Sequence, residues 1–447
     1  MKRIHFIAIG GSAMHGLAIT LSQKGYHITG SDDEIYDPSR SMLNNAGLLP
    51  EKIGWFPEKI NADIDAIILG MHARINNPEL EKARQLNIPI YSYPSFVASE
   101  SESKKRVVVA GSHGKTTTTS MIMTALAASG QKYDYLVGAR LPGYQNMVEI
   151  SDAPLIVIEG DEYLSSPIDR RPKIHHYHPH ITILTGIAWD HINVFPTYEN
   201  YKEQFKIYID SIVEGGVLIY NAADPDVREV VQDRRADIQA IPYTGLSLDG
   251  NNHISYNGAT YTSAIIGKHN YQNMAAALQC CLALGISEKA FFSAMVDFSG
   301  AAKRLQLIDQ SSDYGAYLDF AHAPSKVAAT TEAVKEWYNQ RKLLAVLELH
   351  TFSSLNAEFI NQYQGSMESA DEAWVYIDDH TLAMKKMSVL EEDQILQAFN
   401  HRNLTIIRSR PALELKLKEI KKSGLTVLMM TSGTFKGLPL KDFLCKE

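Results

Sequence analysis

The chain has 447 residues, more than one hydrophobic core usually holds, so we expect two or three domains. Its content of 45% hydrophobic and 21% charged residues is typical of globular proteins, and its net charge of −8 argues against a sequence-independent nucleic-acid binder, whose surface would be basic. The cysteines, Cys280, Cys281 and Cys445, form no C-x-x-C pair and indicate a reducing compartment.

The sequence predicts neither a targeting segment nor a membrane segment. The apolar run in the opening MKRIHFIAIGG is too short for a signal peptide. No stretch approaches the roughly 18 consecutive apolar residues of a membrane-spanning helix. We therefore expect a cytoplasmic protein with no membrane and no nucleic-acid partner, present as a monomer or a weak homodimer.

The chain begins with a pattern typical of nucleotide-binding α/β domains. A predicted strand, Ile4–Ile9, opens into GGSAMHG at residues 10–16, and a helix to about Lys24 precedes a second strand, His27–Gly30. Glycines at such a turn admit a diphosphate, and Ser31-Asp32 supplies the acid that Rossmann-like units carry after their second strand. The spacing matches G-x-G-x-x-G only approximately, so it indicates a nucleotide diphosphate without identifying NAD.

Two further strands, Ala66–Gly70 and Ile88–Tyr91, are predicted to complete a small doubly wound sheet. The segment Ser99–Lys104 contains only serine and charged residues, and this composition predicts a linker.

The most informative stretch is KRVVVAGSHGKTTTTS at residues 105–120. Val107–Ala110 predicts a buried parallel strand, the loop runs from Gly111 to Thr116, and an Ala- and Met-rich helix follows. Such a loop is a phosphate cradle, in which Lys115 reaches the terminal phosphates and the Thr116 hydroxyl holds Mg²⁺. The common pattern has glycine where this chain has Val109, so this is the shorter G-x-x-G-K-T form. The competing interpretation is a chance Gly-Lys-Thr at the start of a helix.

The remainder continues to alternate strands and helices. A polar, β-rich patch covers residues 251–266, and GKHNYQN at residues 267–273 opens a predicted helix, Met274–Leu284. The predicted fold class is therefore α/β, with a nucleotide-fold-like region at each end of an ATPase-like centre. The strands predicted in this part are Leu155–Glu159, Ile181–Ile187, Val217–Asn221, Tyr317–Phe320, Leu343–Leu349, Ala373–Ile377, Thr405–Ile407 and Thr426–Met430.

Taken in order, seven motifs along the chain resemble those of the Mur ligase family, the ATP-dependent amide-forming enzymes of peptidoglycan precursor synthesis. They are IGGSAMHGLA with TGSD, GSHGKTTTT, IEGDEY, WDHINVF, GKHNYQN, KRLQ and LDFAHAP. The resemblance covers essentially the whole chain. It implies three domains: a Rossmann-like UDP-sugar-binding domain at 1–103, a central ATP-binding P-loop domain with a mainly parallel sheet at 104–303, and a Rossmann-like C-terminal domain at 304–447.

The resemblance also implies ATP and Mg²⁺ as cofactors, and it implies roles for residues that match the family's motifs. The implied catalytic residues are Lys115, Glu159, His191 and Arg304, and the metal ligands are Thr116, Glu159 and His191. The implied ATP-binding residues are Gly111, Ser112, His113, Gly114, Lys115, Thr116, Thr117, Asn270, Asn273, Arg304, Asp319 and His322. The implied UDP-sugar-binding residues are Gly10, Gly11, Ser12, Ala13, Met14, Gly16, Ser31 and Asp32.

Each of these residues also has a purely structural interpretation. Glu159 can be a salt-bridged acid at a strand end, and His191 a hydrogen-bonded core histidine. Asn270 can cap the helix that follows it, Asp319 can cap the helix after Pro324, and Arg304 would do nothing as an exposed hinge residue. The histidines near residue 178 alternate like metal ligands, but a proline among them makes a regular strand doubtful, and we interpret them as surface or substrate-side groups. They are His175, His176, His178 and His180.

Two departures point to particular branches of the family. Several branches carry a lysine about fourteen residues after the metal-binding histidine, where this chain has Phe205 with Lys206 beside it. The branch that adds L-alanine to UDP-N-acetylmuramate lacks this lysine, as does the branch that adds the recycled tripeptide L-Ala-γ-D-Glu-meso-diaminopimelate. The C-terminal TSGTFKGL differs from the family's pattern, so no residue is assigned there.

The segment after Glu159 favours the tripeptide branch. DEYLSSPIDRRPKIHHYHP is longer than the matching segment of the alanine ligases and resembles that of the tripeptide ligases. Its cations, Arg170, Arg171 and Lys173, suit a substrate with several carboxylates, and Arg170 and Arg171 are the predicted substrate contacts. The alternatives are a solvated loop and L-alanine as the amine substrate.

Two other classes of protein fit part of the pattern. An NAD-dependent dehydrogenase would use the N-terminal glycines but would leave the phosphate loop without a purpose. A P-loop switch or regulatory ATPase would use Lys115 but would not need a Rossmann-like region at each end of the chain.

Overall fold

The chain folds into three mainly parallel β-sheets covered by helices, together with a small antiparallel sheet. The structure, a computed structural model, describes residues 1–189, 194–248, 253–263, 265–296, 298, 300, 304–385 and 387–445. Contacts divide these residues into two compact units. The first unit contains residues 1–189, 194–244 and 275–295, and the second contains the described residues of 245–274 and 296–445. None of the described helices is long and apolar enough to cross a membrane.

The N-terminal sheet lies in the first unit and has four parallel strands in the order β2-β1-β3-β4. Its strands are predicted correctly to within about two residues. The predicted linker at Ser99–Lys104 is partly wrong, because Ser99 and Glu100 end a helix and Ser101 is buried. The elements are β1 (Arg3–Ile7), α1 (Ser12–Gln23), β2 (His27–Ser31), α2 (Ser39–Asn45), a 3-10 turn (Pro57–Lys59), β3 (Ala66–Leu69), α3 (Pro78–Gln85), β4 (Ile90–Ser92) and α4 (Tyr93–Glu100).

The central sheet, also in the first unit, has seven strands in the order β11-β10-β9-β5-β8-β6-β7, and only β7 runs antiparallel. The apolar run Val107–Ala110 lies on β5, between two neighbouring strands, and is fully buried for that reason. The elements are β5 (Lys105–Ala110), α5 (Lys115–Ala128), β6 (Asp134–Leu136), β7 (Val148–Glu149), β8 (Leu155–Glu159), a 3-10 turn (Lys173–His176), β9 (Ile181–Leu184), α6 (Tyr198–Asp210), β10 (Val217–Asn221), α7 (Pro225–Gln232) and β11 (Gln239–Tyr243).

The polar patch forms an antiparallel sheet of three short strands, β12 (Ser247–Leu248), β13 (His253–Tyr256) and β14 (Ala259–Thr262). Helix α8 (Lys268–Ala283) begins six residues earlier than predicted, and its residues 268–274 belong to the second unit. Helix α9 (Glu288–Met295) lies in the first unit.

The sheet of the second unit has the order β15-β16-β20-β17-β18-β19, and only the edge strand β15 is antiparallel. The remaining elements include every strand that was predicted in this part of the chain, but β15 is not among those predictions, and a 3-10 turn lies between β17 and β18 in place of the expected helix. They are β15 (Gln306–Gln310), β16 (Tyr314–Asp319), α10 (Pro324–Trp337), β17 (Lys342–Glu348), a 3-10 turn (Ile360–Tyr363), β18 (Glu372–Tyr376), α11 (Asp379–Met384), α12 (Glu392–Phe399), β19 (Leu404–Ile407), α13 (Arg410–Lys418), β20 (Leu425–Met430) and α14 (Leu440–Leu444).

Candidate functional site

The loop between β5 and α5 has the geometry of a phosphate cradle. Gly111 and Gly114 have φ values of 121° and 72°, in the region that favours glycine, and α5 begins at Lys115 directly after them. A Cβ atom at Gly111 would lie 2.3 Å from the Thr185 hydroxyl, so no other residue fits there. The loop therefore closes tightly beneath the N-terminus of α5, whose free N–H groups attract anions. The other predicted cradle residues, Ser112, His113 and Thr117, belong to the same loop and first helical turn.

The Lys115 ammonium is held above this loop by two acceptors. It donates to the Gly111 carbonyl at 2.6 Å and to Glu162 Oε2 at 2.7 Å. Burial lowers the pKa of Lys115, but the carboxylates of Glu162 and Asp161 more than offset that effect, so the pKa lies above its ordinary value. The lysine is therefore charged at neutral pH.

Thr116 and Glu159 meet at the adjacent carboxyl ends of β5 and β8. The Thr116 hydroxyl donates to Glu159 Oε1 at 2.8 Å, and the Gly138 amide donates to Glu159 Oε2 at 2.8 Å. A hydroxyl and one carboxylate are a donor set that suits Mg²⁺, which usually keeps several waters and takes its other ligands from phosphates. The predicted third ligand, His191, lies outside the described residues. Among the described residues, no three His, Cys, Asp or Glu side chains gather as a metal cluster.

The N-terminal glycine turn is held by Asp32. The Gly10 amide donates to Asp32 Oδ2 at 2.7 Å, and a Cβ atom at Gly10 would lie 2.9 Å from both that carboxylate and Ile35. Burial raises the pKa of Asp32, although its backbone hydrogen bonds act in the opposite direction. A Cβ at Gly16 would meet only Val148, at 3.6 Å, which is ordinary contact. The turn therefore requires glycine at position 10.

The other predicted UDP-sugar residues divide between surface and core. Gly11, Ser12 and Ala13 are accessible at the start of α1, whereas Met14 is 5% exposed and Ser31 is fully buried in β2. Accessible backbone N–H groups at this helix start are available to an anion.

A segment that was not predicted from the sequence joins helix α1 to the strand end beside the phosphate loop. Residues 138–148 begin at Gly138, whose amide holds Glu159, and end at Val148, whose carbonyl accepts a hydrogen bond from Thr20 of α1 at 2.8 Å. One segment thus contacts both α1, the helix after the glycine turn, and Glu159, which accepts a hydrogen bond from Thr116 of the phosphate loop.

The segment between residues 161 and 176 is cross-linked by its own charges. Arg171 binds Asp169 through Nε at 3.0 Å and Nη2 at 2.7 Å, and Lys173 pairs with Asp161. Arg170 is exposed. The two arginines are therefore not equivalent, because Arg171 already has a carboxylate partner.

One of the clustered histidines is not a surface group. His176 is 8% exposed. Its Nε2 atom shares a hydrogen bond of 3.0 Å with the Ser165 hydroxyl and lies 3.3 Å from Asp169 Oδ2. Burial lowers its pKa to about 4. The prediction of surface or substrate-side histidines is wrong for this residue, which packs into the segment through a short 3-10 turn.

In the second unit, the structure contradicts two of the capping interpretations. Asn270 is the third residue of α8 rather than its cap, and its side-chain amide donates to the Ile266 carbonyl at 2.8 Å. Asn273 donates to Asn270 Oδ1 at 3.3 Å, so the two asparagines form a buried pair. Helix α10 is capped by Ala323, so Asp319 does not cap it.

Asp319 instead organises the start of the C-terminal region. Its carboxylate accepts hydrogen bonds from the Leu305 and Ala321 amides, each at 2.7 Å. Arg304 lies 4.5 Å above the Phe320 ring, and the His322 ring packs edge-on against the same phenylalanine at 5.2 Å. The structure thus brings Arg304, Asp319 and His322 together at the end of β16.

Glu162 and Tyr201 were not predicted as site residues from the sequence. Glu162 is 2% exposed, and its Oε1 accepts from the Tyr201 hydroxyl at 3.2 Å. The motif IEGDEY contains this second acid but does not indicate its partner. Phe205, in place of the lysine of other branches, is fully buried among aromatic side chains.

The comparisons with known proteins agree with this geometry. Residues 3–105 match the model "Mur ligase family, catalytic domain", and residues 109–281 match "Mur ligase middle domain". The UDP-N-acetylmuramate–L-alanine ligase of Syntrophomonas wolfei is 30% identical, with 79% of this chain and 77% of that protein covered.

Relatives of the second branch match as well. The UDP-N-acetylmuramate–L-alanyl-gamma-D-glutamyl-meso-2,6-diaminoheptandioate ligase of Haemophilus influenzae is 28% identical, with 78% of this chain and 80% of that protein covered. The crystal structure of a murein peptide ligase from Psychrobacter arcticus superposes with a TM-score of 0.69 at 22% identity, covering 99% of this chain and 98% of that one. The predicted resemblance is confirmed, and the chain belongs to the Mur ligase family.

Proposed function

We propose that this ATP-dependent, C–N bond-forming ligase joins UDP-N-acetylmuramate to the tripeptide L-Ala-γ-D-Glu-meso-diaminopimelate in peptidoglycan recycling. The observation that carries this proposal is the convergence of Lys115, Thr116 and Glu159 at the carboxyl ends of adjacent parallel strands. The muramyl carboxylate and the triphosphate of ATP repel each other, and a lysine with a metal-binding pair at that edge can neutralise their charge so that they react. The second candidate is ligation of L-alanine to the same UDP-sugar, which the 30% identical relative favours.

The proposed reaction brings together two anions, the muramyl carboxylate and the triphosphate of ATP. The muramyl carboxylate attacks the γ-phosphorus of ATP, which yields an acyl phosphate and ADP. The amine then attacks the acyl carbon, phosphate leaves with the bonding electrons, and the amide nitrogen loses a proton. Lys115 and the loop amides neutralise the phosphate charge, and Thr116 and Glu159, with His191, would hold a Mg²⁺ ion that neutralises charge on the phosphates.

We assign the remaining predicted residues to the two nucleotides. The Gly10–Gly16 turn and Asp32 bind the UDP-sugar, and Asn270, Asn273 and Asp319 approach the adenosine part of ATP. Arg304 and His322 lie beside Asp319, and we assign Arg304 to the phosphates of ATP. We also propose domains at 1–103, 104–303 and 304–447, a cytoplasmic location, and a monomer or weak homodimer.

The 161–176 segment supports the tripeptide as the amine substrate. Its Arg170 is exposed, and the segment around this residue is held rigid by the Arg171–Asp169 and Lys173–Asp161 pairs. A tripeptide with several carboxylates gives such a cation a partner, whereas L-alanine has one carboxylate.

A phosphate-release assay tests the proposal. The full chain is incubated with ATP, Mg²⁺ and UDP-N-acetylmuramate, and L-alanine is compared with the tripeptide. We expect phosphate release with the tripeptide and little with L-alanine. Release with L-alanine alone would replace the tripeptide with the second candidate, and release with neither amine would contradict both.

A further inference from the structure

The phosphate-loop lysine pairs with a carboxylate that the proposed reaction does not use. Glu162 Oε2 lies 2.7 Å from Lys115 Nζ, and the Glu162 side chain is only 2% exposed. An ionised carboxylate is costly to bury unless it is paired and hydrogen-bonded, so its presence at this point requires a reason.

Glu162 is part of a chain of hydrogen bonds that crosses the site. Its second oxygen accepts from Tyr201 at 3.2 Å, and the Tyr201 hydroxyl lies 2.8 Å from the hydroxyl of Ser112 on the phosphate loop. Ser112 in turn accepts from the Ala188 amide at 2.8 Å. The Glu162 carboxylate is therefore held by Tyr201 of α6. Tyr201 is held in turn through Ser112 of the phosphate loop and the Ala188 amide of the segment after β9.

This arrangement limits the freedom of the lysine. A lysine side chain has several rotatable bonds, and its ammonium can occupy many positions when it is bound at one point only. Here the Gly111 carbonyl and Glu162 together bind two of its three N–H donors, which fixes the ammonium at two points.

We infer that Glu162 is a positioning residue, which holds the Lys115 ammonium in place for the terminal phosphates of ATP. The inference rests on the proposed function for its kinetic test, but the contact itself does not depend on which amine is used. Pre-organised charge matters in such a site because catalysis there consists of orientation and electrostatic stabilisation. Tyr201 acts through Glu162, since its hydroxyl restrains the carboxylate rather than the lysine.

The neighbouring Asp161 provides a matched control. It belongs to the same segment and also faces Lys115 electrostatically, but its carboxylate pairs with Lys173 and is 41% exposed. Asp161→Asn therefore removes the same charge from the same segment without removing a hydrogen bond from Lys115.

The kinetic test compares Glu162→Gln, Asp161→Asn and Tyr201→Phe with the unmodified chain, using whichever amine that chain accepts. We expect Glu162→Gln to lower kcat by about ten- to a hundredfold and to leave the KM for ATP within about threefold, because misplacement of a catalytic group acts on the reacting state. Tyr201→Phe should fall between Glu162→Gln and the unmodified chain. Asp161→Asn loosens the 161–176 segment but keeps both hydrogen bonds of Lys115, so it should retain kcat within about threefold at saturating amine. Equal losses in Glu162→Gln and Asp161→Asn, or an unchanged kcat in Glu162→Gln, would overturn the inference.

Two further measurements separate this inference from a structural role and from the proposed function. Thermal unfolding should show Glu162→Gln folded at the assay temperature, and a loss of kcat that accompanies unfolding would contradict a positioning role. A crystal structure of the full chain with a non-hydrolysable ATP analogue and Mg²⁺ should retain the Lys115–Glu162 contact. If the unmodified chain ligates neither amine, the proposed function fails, and the inference then stands or falls on whether that contact persists in the nucleotide complex.

Discussion

Thr116 donates a hydrogen bond from its hydroxyl to Glu159 Oε1 over 2.8 Å, which joins the phosphate loop to the neighbouring strand β8. The two residues are 43 positions apart in the chain, and the parallel pairing of β5 with β8 brings them together. We expect this pair to control the metal requirement of the enzyme.

The metal prediction uses Thr116→Val. Loss of the hydroxyl removes a proposed metal ligand, so the Mg²⁺ concentration at half-maximal activity should rise by about tenfold or more. The control is Thr118→Val, because Thr118 is on the same helix and its buried hydroxyl has no hydrogen-bond partner among the described residues. A titration of activity with Mg²⁺ measures both variants, and equal shifts would contradict a specific role for Thr116.

The lysine prediction separates the two nucleotides. Lys115→Ala should abolish ligation but leave UDP-N-acetylmuramate affinity within about threefold, because the UDP-sugar turn lies on α1 and the lysine lies on α5. Calorimetric titration with UDP-N-acetylmuramate measures the affinity. If a folded Lys115→Ala protein loses both properties, the assignment of the two nucleotides to separate regions is wrong.

The glycine prediction concerns the turn at residues 10–16. Space alone does not require glycine at position 16, whereas a Cβ at Gly10 would come within 2.9 Å of Asp32 and Ile35. Gly10→Ala should therefore weaken UDP-N-acetylmuramate by about tenfold, since the turn must shift, and Gly16→Ala should weaken it less. Calorimetric titration with UDP-N-acetylmuramate measures the affinity of both variants. A larger loss of affinity in Gly16→Ala than in Gly10→Ala would show that α1 binds the diphosphate elsewhere.

The arginine prediction concerns the amine substrate. Arg170→Ala should raise the KM for the tripeptide by about two- to fivefold, the range of exposed ion pairs, and leave the KM for ATP unchanged. Arg171→Ala should act mainly on the segment, because it removes the partner of Asp169. Steady-state kinetics with the tripeptide varied measures the first effect. An unchanged tripeptide KM in a variant that combines Arg170→Ala with Arg171→Ala would exclude this segment from substrate recognition.

The stability prediction comes from His176. Its pKa in the folded chain is about 4, below its ordinary value of 6.5, because burial disfavours the charged ring. The unfolded chain therefore binds more protons between these pH values, and the stability contributed above pH 6.5 is lost as the pH falls toward 4, on the order of 1–3 kcal/mol. Urea unfolding at pH 7 and pH 5 should show a smaller difference for His176→Gln than for the unmodified chain. His178→Gln, at an exposed position, is the control and should retain the full difference.

The sequence by itself determined the strands, the glycine turns and the chemistry of the loop. Apolar runs such as Val107–Ala110 predict buried parallel strands, because a strand without polar residues has no face that suits water. Gly111 has a positive φ that other residues rarely adopt, and this constraint acts within the backbone of the residue itself. Those local constraints explain why the α/β class and most of the order of elements were predictable, whereas the family was predicted from the resemblance of its motifs. The strands β6, β7 and β11 and the antiparallel edge β15 were missed, because none of them has more than two consecutive aliphatic or aromatic residues.

Only the tertiary structure decided which polar groups share a partner. Glu162 returns to Lys115, Gly138 donates to Glu159, and Arg171 is bound by Asp169 rather than left free, although no residue spacing specifies any of these contacts. The same is true of the buried His176, whose surroundings come from Ser165 and the fold of its segment. The physical reason is that a buried charge must be paired, and its partner is set by which strand ends and loops the sheet order places side by side.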